Sequence, residues 1–256
     1  MTGMATVVDC ADPATLLPGM REARAAISRG ELVVLPTDTV YGIAADAFQP
    51  DAVQRLLDTK GRGRGAPPPV LVPTRETMDA LAETVPVAVE ILADAFWPGA
   101  LTFVLPARAG LAWDLGETNG TVALRMPDQR IALELLAETG PLAVSSANRT
   151  GEQPATEAAD AVEQLGDDVA VYLDGGPTPG PVPSTIIDAT ALAAGTGLLR
   201  ILRHGLITEE QLREVAPLAF EDDAAPQAPK TDAPEEPDTD APEARETDDP
   251  EGPASA

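Results

Sequence analysis

Along most of the chain, short and almost uninterrupted apolar runs alternate with stretches in which apolar residues recur every three or four positions. The runs at 32–35, 70–72, 101–105, 122–125, 142–144, 169–173, 185–187 and 198–202 are rich in Val, Ile and Leu and predict strands. The periodic stretches predict helices near 51–58, 75–83, 86–96, 129–138 and 157–165. Start signals place two more. Asp12-Pro13 offers an N-cap followed by proline at the first helical position, opening a helix that runs toward Ile27 before Gly30. Thr208-Glu209-Glu210-Gln211 has capping-box spacing, and its helix ends before Pro217. Strands separated by helices predict a mixed α/β fold. No repeat of fixed period occurs, and the pattern does not specify strand order.

The pattern stops at residue 220. Residues 221–256 hold 13 acids, two bases and seven prolines, with no Leu, Ile, Val or aromatic residue. Such a segment buries too little apolar surface to offset its ordering entropy, so it reads as a disordered acidic tail. Residues 1–220 read as one domain with a single well-buried core. Of the net charge of −25, the tail accounts for −11 and the domain for −14. That balance disfavours broad nucleic-acid binding by charge alone, so any anion site must be built locally. Cys10 and His204 are the sole cysteine and histidine, which excludes an internal disulfide and a Cys/His metal site. No apolar run reaches membrane-helix length and no signal segment opens the chain. The expectation is a soluble, cytoplasmic protein.

The densest cationic stretch is Lys60-Gly61-Arg62-Gly63-Arg64-Gly65. If extended, it projects Lys60, Arg62 and Arg64 to one face, and its glycines leave backbone N–H groups open to an anion. The same composition fits a plain solvent loop. It is neither a Walker loop nor a dinucleotide fingerprint. Lys60 is the one lysine before the tail, and arginine, suited to forked phosphate contacts, fills the other 14 cationic positions.

Ligands of open α/β sheets sit beyond strand ends, so the residues there matter. Thr37-Asp38-Thr39 follows the first run. Its hydroxyls suit the amine and carboxylate of a small polar substrate, or an ordinary turn from strand to helix. Ser145-Ser146-Ala147-Asn148 follows another run. With no Gly-x-Ser-x-Gly and one histidine, its serines read as hydrogen-bonding groups, not nucleophiles. Arg125 and Arg203 end strands, either paired with an acid or facing a ligand. Thr156 reads as the N-cap of the next helix, a position that also suits phosphate. Cys10 reads as a buried small residue and His204 as a partly exposed turn residue.

Taken in order, Pro36-Thr37-Asp38-Thr39-Val40-Tyr41-Gly42, Lys60-Gly61-Arg62, Phe96-Trp97-Pro98-Gly99-Ala100-Leu101-Thr102, Arg125-Met126-Pro127, Ser145-Ser146-Ala147-Asn148 with Gly151, Pro183-Ser184-Thr185 and Leu202-Arg203-His204-Gly205 resemble the YrdC-like L-threonylcarbamoyladenylate synthases. The resemblance implies a twisted mixed sheet with flanking helices and a cationic concave face. It implies condensation of ATP, L-threonine and bicarbonate to threonylcarbamoyl-AMP and pyrophosphate, for a separate transferase complex that modifies adenosine beside tRNA anticodons. By position it puts Thr37, Ser146 and Ser184 on threonine, and Lys60, Arg62, Arg64, Arg125, Asn148, Thr156 and Arg203 on ATP. Lys60, Arg62, Ser146 and Asn148 are the catalytic set it implies. Mg²⁺ would ride on the phosphates, with no protein ligand assigned. Many relatives carry His where this chain has Leu71 and Gln129, and Asn-Pro-Leu after a Lys-x-Arg-Pro where it has a proline run ending at Pro69. The residues suit the chemistry. A threonine carbamate attacking the α-phosphate needs positioning and charge neutralisation more than an imidazole base.

Two other readings stand beside this one. One is a non-catalytic double-stranded RNA- or ribosome-binding module with weak tRNA contact. The other is a nucleotide-binding paralogue with a different acyl acceptor. The tail reads as a solubilising extension or as a competitor of ATP for the cationic loop.

Overall fold

The computed structural model describes residues 5–220. The acidic segment 221–256, with the expectations attached to it, lies outside the described residues. In chain order the elements are β1 (Thr6–Asp9), α1 (Pro13–Ser28), β2 (Val33–Leu35), β3 (Gly42–Asp46), α2 (Pro50–Lys60), β4 (Val70–Leu71), α3 (Arg75–Leu81), α4 (Val87–Phe96) and β5 (Leu101–Pro106). They continue with β6 (Thr121–Arg125), α5 (Arg130–Thr139), β7 (Leu142–Ser146), α6 (Ala158–Leu165), β8 (Val171–Asp174), β9 (Thr185–Asp188), α7 (Thr190–Ala193), β10 (Arg200–Arg203) and α8 (Glu209–Val215). The strands form one mixed sheet in the order β1-β8-β2-β3-β7-β4-β6-β5-β9-β10. Among the described residues, no helix is long and apolar enough to cross a membrane.

Helices cover the two halves of the sheet differently. In the β2, β3, β7, β8 half both faces are buried. Val33 and Leu35 pack with α1 and α5, through Ala23, Ile27, Leu135 and Leu136. Leu32 and Val34 turn the other way, against Ala52 and Leu56 of α2 and Ala158, Ala161 and Leu165 of α6. Two buried faces explain why the runs are apolar throughout instead of alternating. In the β5, β6, β9 half, Leu101, Phe103, Leu105, Leu124 and Ile187 pack beneath Met78, Leu81, Val89, Leu92 and Leu212 of α3, α4 and α8. Thr102, Val104, Ala123, Arg125 and Ile186 face the opposite way. Among the described residues no helix core closes over that face, and it becomes the floor of a cleft.

The cap signals operate as read. Asp12 accepts the Ala14 N–H with Pro13 at the first turn, and Thr208 and Gln211 form the box at α8. Three readings change. The turn at 37–41 leads into a strand, because β3 folds back antiparallel on β2 with Leu35 opposite Gly42. The N-cap of α6 is Glu157, not Thr156. The cationic stretch is not extended. α2 continues through Lys60, and Gly61 ends it in the left-handed region at φ 64°, a conformation glycine adopts without strain.

Candidate active site

The uncovered face of β5, β6 and β9 floors a cavity of about 500 Å³. Three arginines reach it from separate elements: Arg62 from the turn after α2, Arg125 from the end of β6 and Arg203 from the end of β10. Neutral acceptors help hold each of them. Arg62 Nη1 donates to Ser145 Oγ at 3.3 Å. Arg203 donates to the Ser184 carbonyl from Nη2 at 2.7 Å and Nε at 3.1 Å, and to Ser184 Oγ at 3.1 Å. Arg125 donates to the Gly99 carbonyl at 3.0 Å and Thr39 Oγ1 at 3.1 Å, and pairs with Asp38 Oδ1 at 2.5 Å. Three guanidinium groups thus share one cavity, and the Asp38 carboxylate is in contact with Arg125.

Their electrostatic strain is visible. Burial pushes the Arg125 guanidinium below its usual range, with Asp38 opposing. Arg203 still reaches solvent, yet partial burial and the charges of Arg125 and Arg62 hold it down to about 10. Cations that depress one another are relieved by a polyanion.

Lys60, Arg62 and Arg64 point three ways. Lys60 is buried, and its Nζ donates to the carbonyls of Ser146 and Asn148 at 2.6 Å each. Burial, with help from Arg62, lowers its pKa from 10.5 to about 8. The ammonium thus clamps the turn after β7 and does not line the cavity. Arg64 turns outward, to Asp114 Oδ1 at 2.6 Å and Gln54 Oε1 at 3.1 Å. The turn, not the strand period, decides where each charge goes.

The lining also contains the hydroxyl residues Thr37, Ser146 and Ser184. Thr37 Oγ1 donates to the Val40 carbonyl at 2.6 Å and accepts the Thr39 N–H at 3.1 Å, so it shapes its turn while facing the cavity. Ser184 Oγ lies 2.8 Å from Thr102 Oγ1. Asn148 lies just outside the lining; its Nδ2 donates to the Arg149 and Glu152 carbonyls. Its buried Oδ1 has no hydrogen-bond partner among the described residues, leaving an acceptor open to a donor. Thr156 lines a separate, shallower depression with Arg149 and Gln153.

Some residues that hold the cavity side chains had no such role assigned from the sequence. Asp38 and Thr39 orient Arg125, Ser145 holds Arg62, and Thr102 supports Ser184. Thr102 was legible, as a polar residue out of phase with Leu101, Phe103 and Leu105. The apolar wall of Val104, Leu115, Ile186 and Leu202 was not, because its segments meet only in the fold. Leu71 lines the cavity, and Gln129 caps α5 by accepting the Ile131 and Ala132 N–H groups.

Fold and site together define an α/β protein with one recessed cleft lined by three arginines and by threonine and serine hydroxyls. The Sua5_yciO_yrdC family, described as "Telomere recombination", matches residues 25–205. A putative threonylcarbamoyl-AMP synthase of Mycobacterium tuberculosis (strain CDC 1551 / Oshkosh) is 49% identical over 212 residues, 83% of this chain and 95% of the relative. The threonylcarbamoyl-AMP synthase of Bacillus subtilis (strain 168) is 36% identical over 201 residues, 77% of this chain and 56% of its own. The crystal structure of P. abyssi Sua5 complexed with L-threonine superposes with a TM-score of 0.75 at 33% identity, covering 83% of this chain and 61% of that one. The chain belongs to the Sua5/YciO/YrdC family.

Proposed function

We infer that this chain is a threonylcarbamoyl-AMP synthase, a nucleotidyltransferase that uses ATP and L-threonine. The observation that carries the reading is the convergence of Arg62, Arg125 and Arg203 on a cavity walled by Thr37, Ser146 and Ser184. The relatives' names favour this activity over the RNA-binding module.

The proposed course starts with bicarbonate as carbon source. The threonine amine bonds to that carbon with loss of water, giving a carbamate. A carbamate oxygen then attacks the α-phosphorus of ATP as the bond to pyrophosphate breaks, its electron pair leaving with pyrophosphate. Arg62, Arg125 and Arg203 take the phosphates, where negative charge concentrates on the leaving group. Thr37, Ser146 and Ser184 orient threonine, and the Asn148 Oδ1 acceptor lies nearby. Lys60 acts through the turn it clamps.

We propose that Mg²⁺ enters on the nucleotide's phosphates and neutralises part of their charge. Among the described residues no group of three or more His, Cys, Asp or Glu side chains is placed to hold a metal, and Asp38 is engaged by Arg125. The product would pass to a transferase that modifies tRNA, in the cytoplasm, with only weak, salt-labile contact between this chain and tRNA.

The test is pyrophosphate release with ATP, L-threonine and bicarbonate, omitting each in turn. The reading expects release to need all three. Release without threonine would replace it with another acceptor or a nucleotide hydrolase. Folded protein that releases none, but binds RNA in a salt-sensitive way, would favour the binding module.

A further inference from the structure

Arg64 sits two residues after Arg62, a cavity residue, yet its side chain leaves the cavity. It reaches Asp114, which directly precedes Leu115, another residue of the cavity lining. The two segments meet again through the backbone: the Glu117 N–H donates to the Arg64 carbonyl at 2.9 Å. Gly116 makes this approach possible. Its φ is 104°, and a Cβ there would lie 2.6 Å from the Arg64 carbonyl oxygen. Asp114 Oδ1 also accepts the Gly116 N–H at 3.1 Å, so one carboxylate oxygen fixes its own turn and the arginine together. One residue earlier, Trp113 stacks on Phe48 with ring centroids 5.5 Å apart. The segment 113–117 is therefore fastened to residues before, within and after α2: Phe48, Gln54 through Arg64, and Arg64 itself.

We propose that Arg64 is a positioning residue. Through Asp114 and the Glu117 amide it clasps the turn that carries Arg62 to segment 113–117, and so fixes where Arg62 stands in the cavity. Arg64 is then no ligand of the nucleotide. Its charge is spent on Asp114, whose carboxyl it holds below the usual carboxylate range by hydrogen bonding. The side chains are about half exposed, at 43% and 46%, so the ion pair is a modest latch over a backbone seam. The kinetic consequence rests on the synthase reading, whereas the clasp itself does not.

The experiment compares Arg64→Ala, Asp114→Ala and the exchanged pair Arg64→Asp/Asp114→Arg in the full chain. Hydrogen exchange of 61–66 and 113–118 reads the clasp without turnover, and the KM for ATP reads Arg62's placement. Either single change should speed exchange in both segments and raise the KM about two- to five-fold, more than it lowers kcat. The exchanged pair should recover most of both effects, because opposite charges face each other again. A tenfold rise for Arg64→Ala with none for Asp114→Ala would overturn the proposal and return Arg64 to the nucleotide. Unchanged exchange in both single variants would overturn it too, as would faster exchange with an unmoved KM. Wild-type protein that releases no pyrophosphate while the exchange results hold would sink the synthase reading alone.

Discussion

Replacing Lys60 with methionine keeps an unbranched side chain, one atom shorter, and removes its charge, and the structure sets the consequence at each pH. Nζ donates to the buried carbonyls of Ser146 and Asn148 at 2.6 Å each. The Ser146 carbonyl keeps the Asn148 N–H at 2.9 Å, so the variant orphans chiefly the Asn148 carbonyl, at a cost of about 1–3 kcal/mol. Against this, the fold holds the amine at about 8 instead of 10.5, so carrying the charge already costs the wild type about 3 kcal/mol below pH 8. The two effects nearly offset at neutral pH, and Lys60→Met should change stability there by about 2 kcal/mol or less. Above pH 8 the folded amine releases its proton while the unfolded chain, titrating at 10.5, keeps it. Wild-type stability therefore gains with pH across this window, and the neutral amine still offers N–H donors to the carbonyls. The gap between wild type and variant should widen by about 2 kcal/mol from pH 8 to 9.5. Urea melts of both proteins at pH 7, 8, 9 and 9.5 measure it. A gap that stays constant would mean Lys60 does not titrate in this range. A gap that narrows would mean its charged form is favoured in the fold, and the burial cost assigned to it would be wrong.

Three further outcomes follow from the same geometry. Arg203→Met removes a guanidinium that Arg125 and Arg62 repel, so calorimetry should show ATP binding weakened about ten- to a hundredfold, the loss of charge-assisted bonds. An unaltered affinity would place the phosphates elsewhere. Pyrophosphate should raise the melting temperature of the wild type more than NaCl at equal ionic strength, since it binds the folded arginine cluster by mass action. The Arg203→Met variant should lose most of that gain. Gln129→Ala deletes the cap of α5 and should cost about 1 kcal/mol, about 2–4 °C in melting temperature, without changing the KM for ATP or threonine.

The fold was legible where burial imposed it. Runs such as 142–144 and 169–173 are apolar because α1 and α5 cover one face of the sheet and α2 and α6 the other. β1 and β3 escaped because their sequences are ambiguous. Gly42-Ile43-Ala44-Ala45-Asp46 is rich in small residues and lies where a helix start was equally well signalled. Its Ala44 and Ala45 are strand residues by pairing with β2 and β7, a long-range effect. The site shows the same division. That Arg125 and Arg203 end strands was plain. That Arg125 takes both alternatives, an acid partner and a place in the cavity, needed coordinates. The cationic loop misled for a local reason. Period-two reasoning applies only to extended chain, and α2 persists through Lys60 until Gly61 reverses it.

The arginines' partners explain how a chain of formal charge −25 keeps a cationic recess. Carboxylates would hold guanidinium groups firmly but cancel the charge needed for phosphate. Here Ser145 Oγ, the Ser184 carbonyl, the Gly99 carbonyl and Thr39 Oγ1 help orient the forks while leaving their charge in place, and Asp38 cancels part of it at Arg125. Neutral acceptors therefore share in the positioning, and the residual field is confined to the cavity. Over a Debye length of about 8 Å at physiological salt, the surrounding acids are screened from a bound anion while the arginines in contact are not. Affinity then depends on contact geometry, not on the molecule's overall charge. That is also why small displacements of Arg62, set by the Arg64–Asp114 clasp, would register in substrate binding.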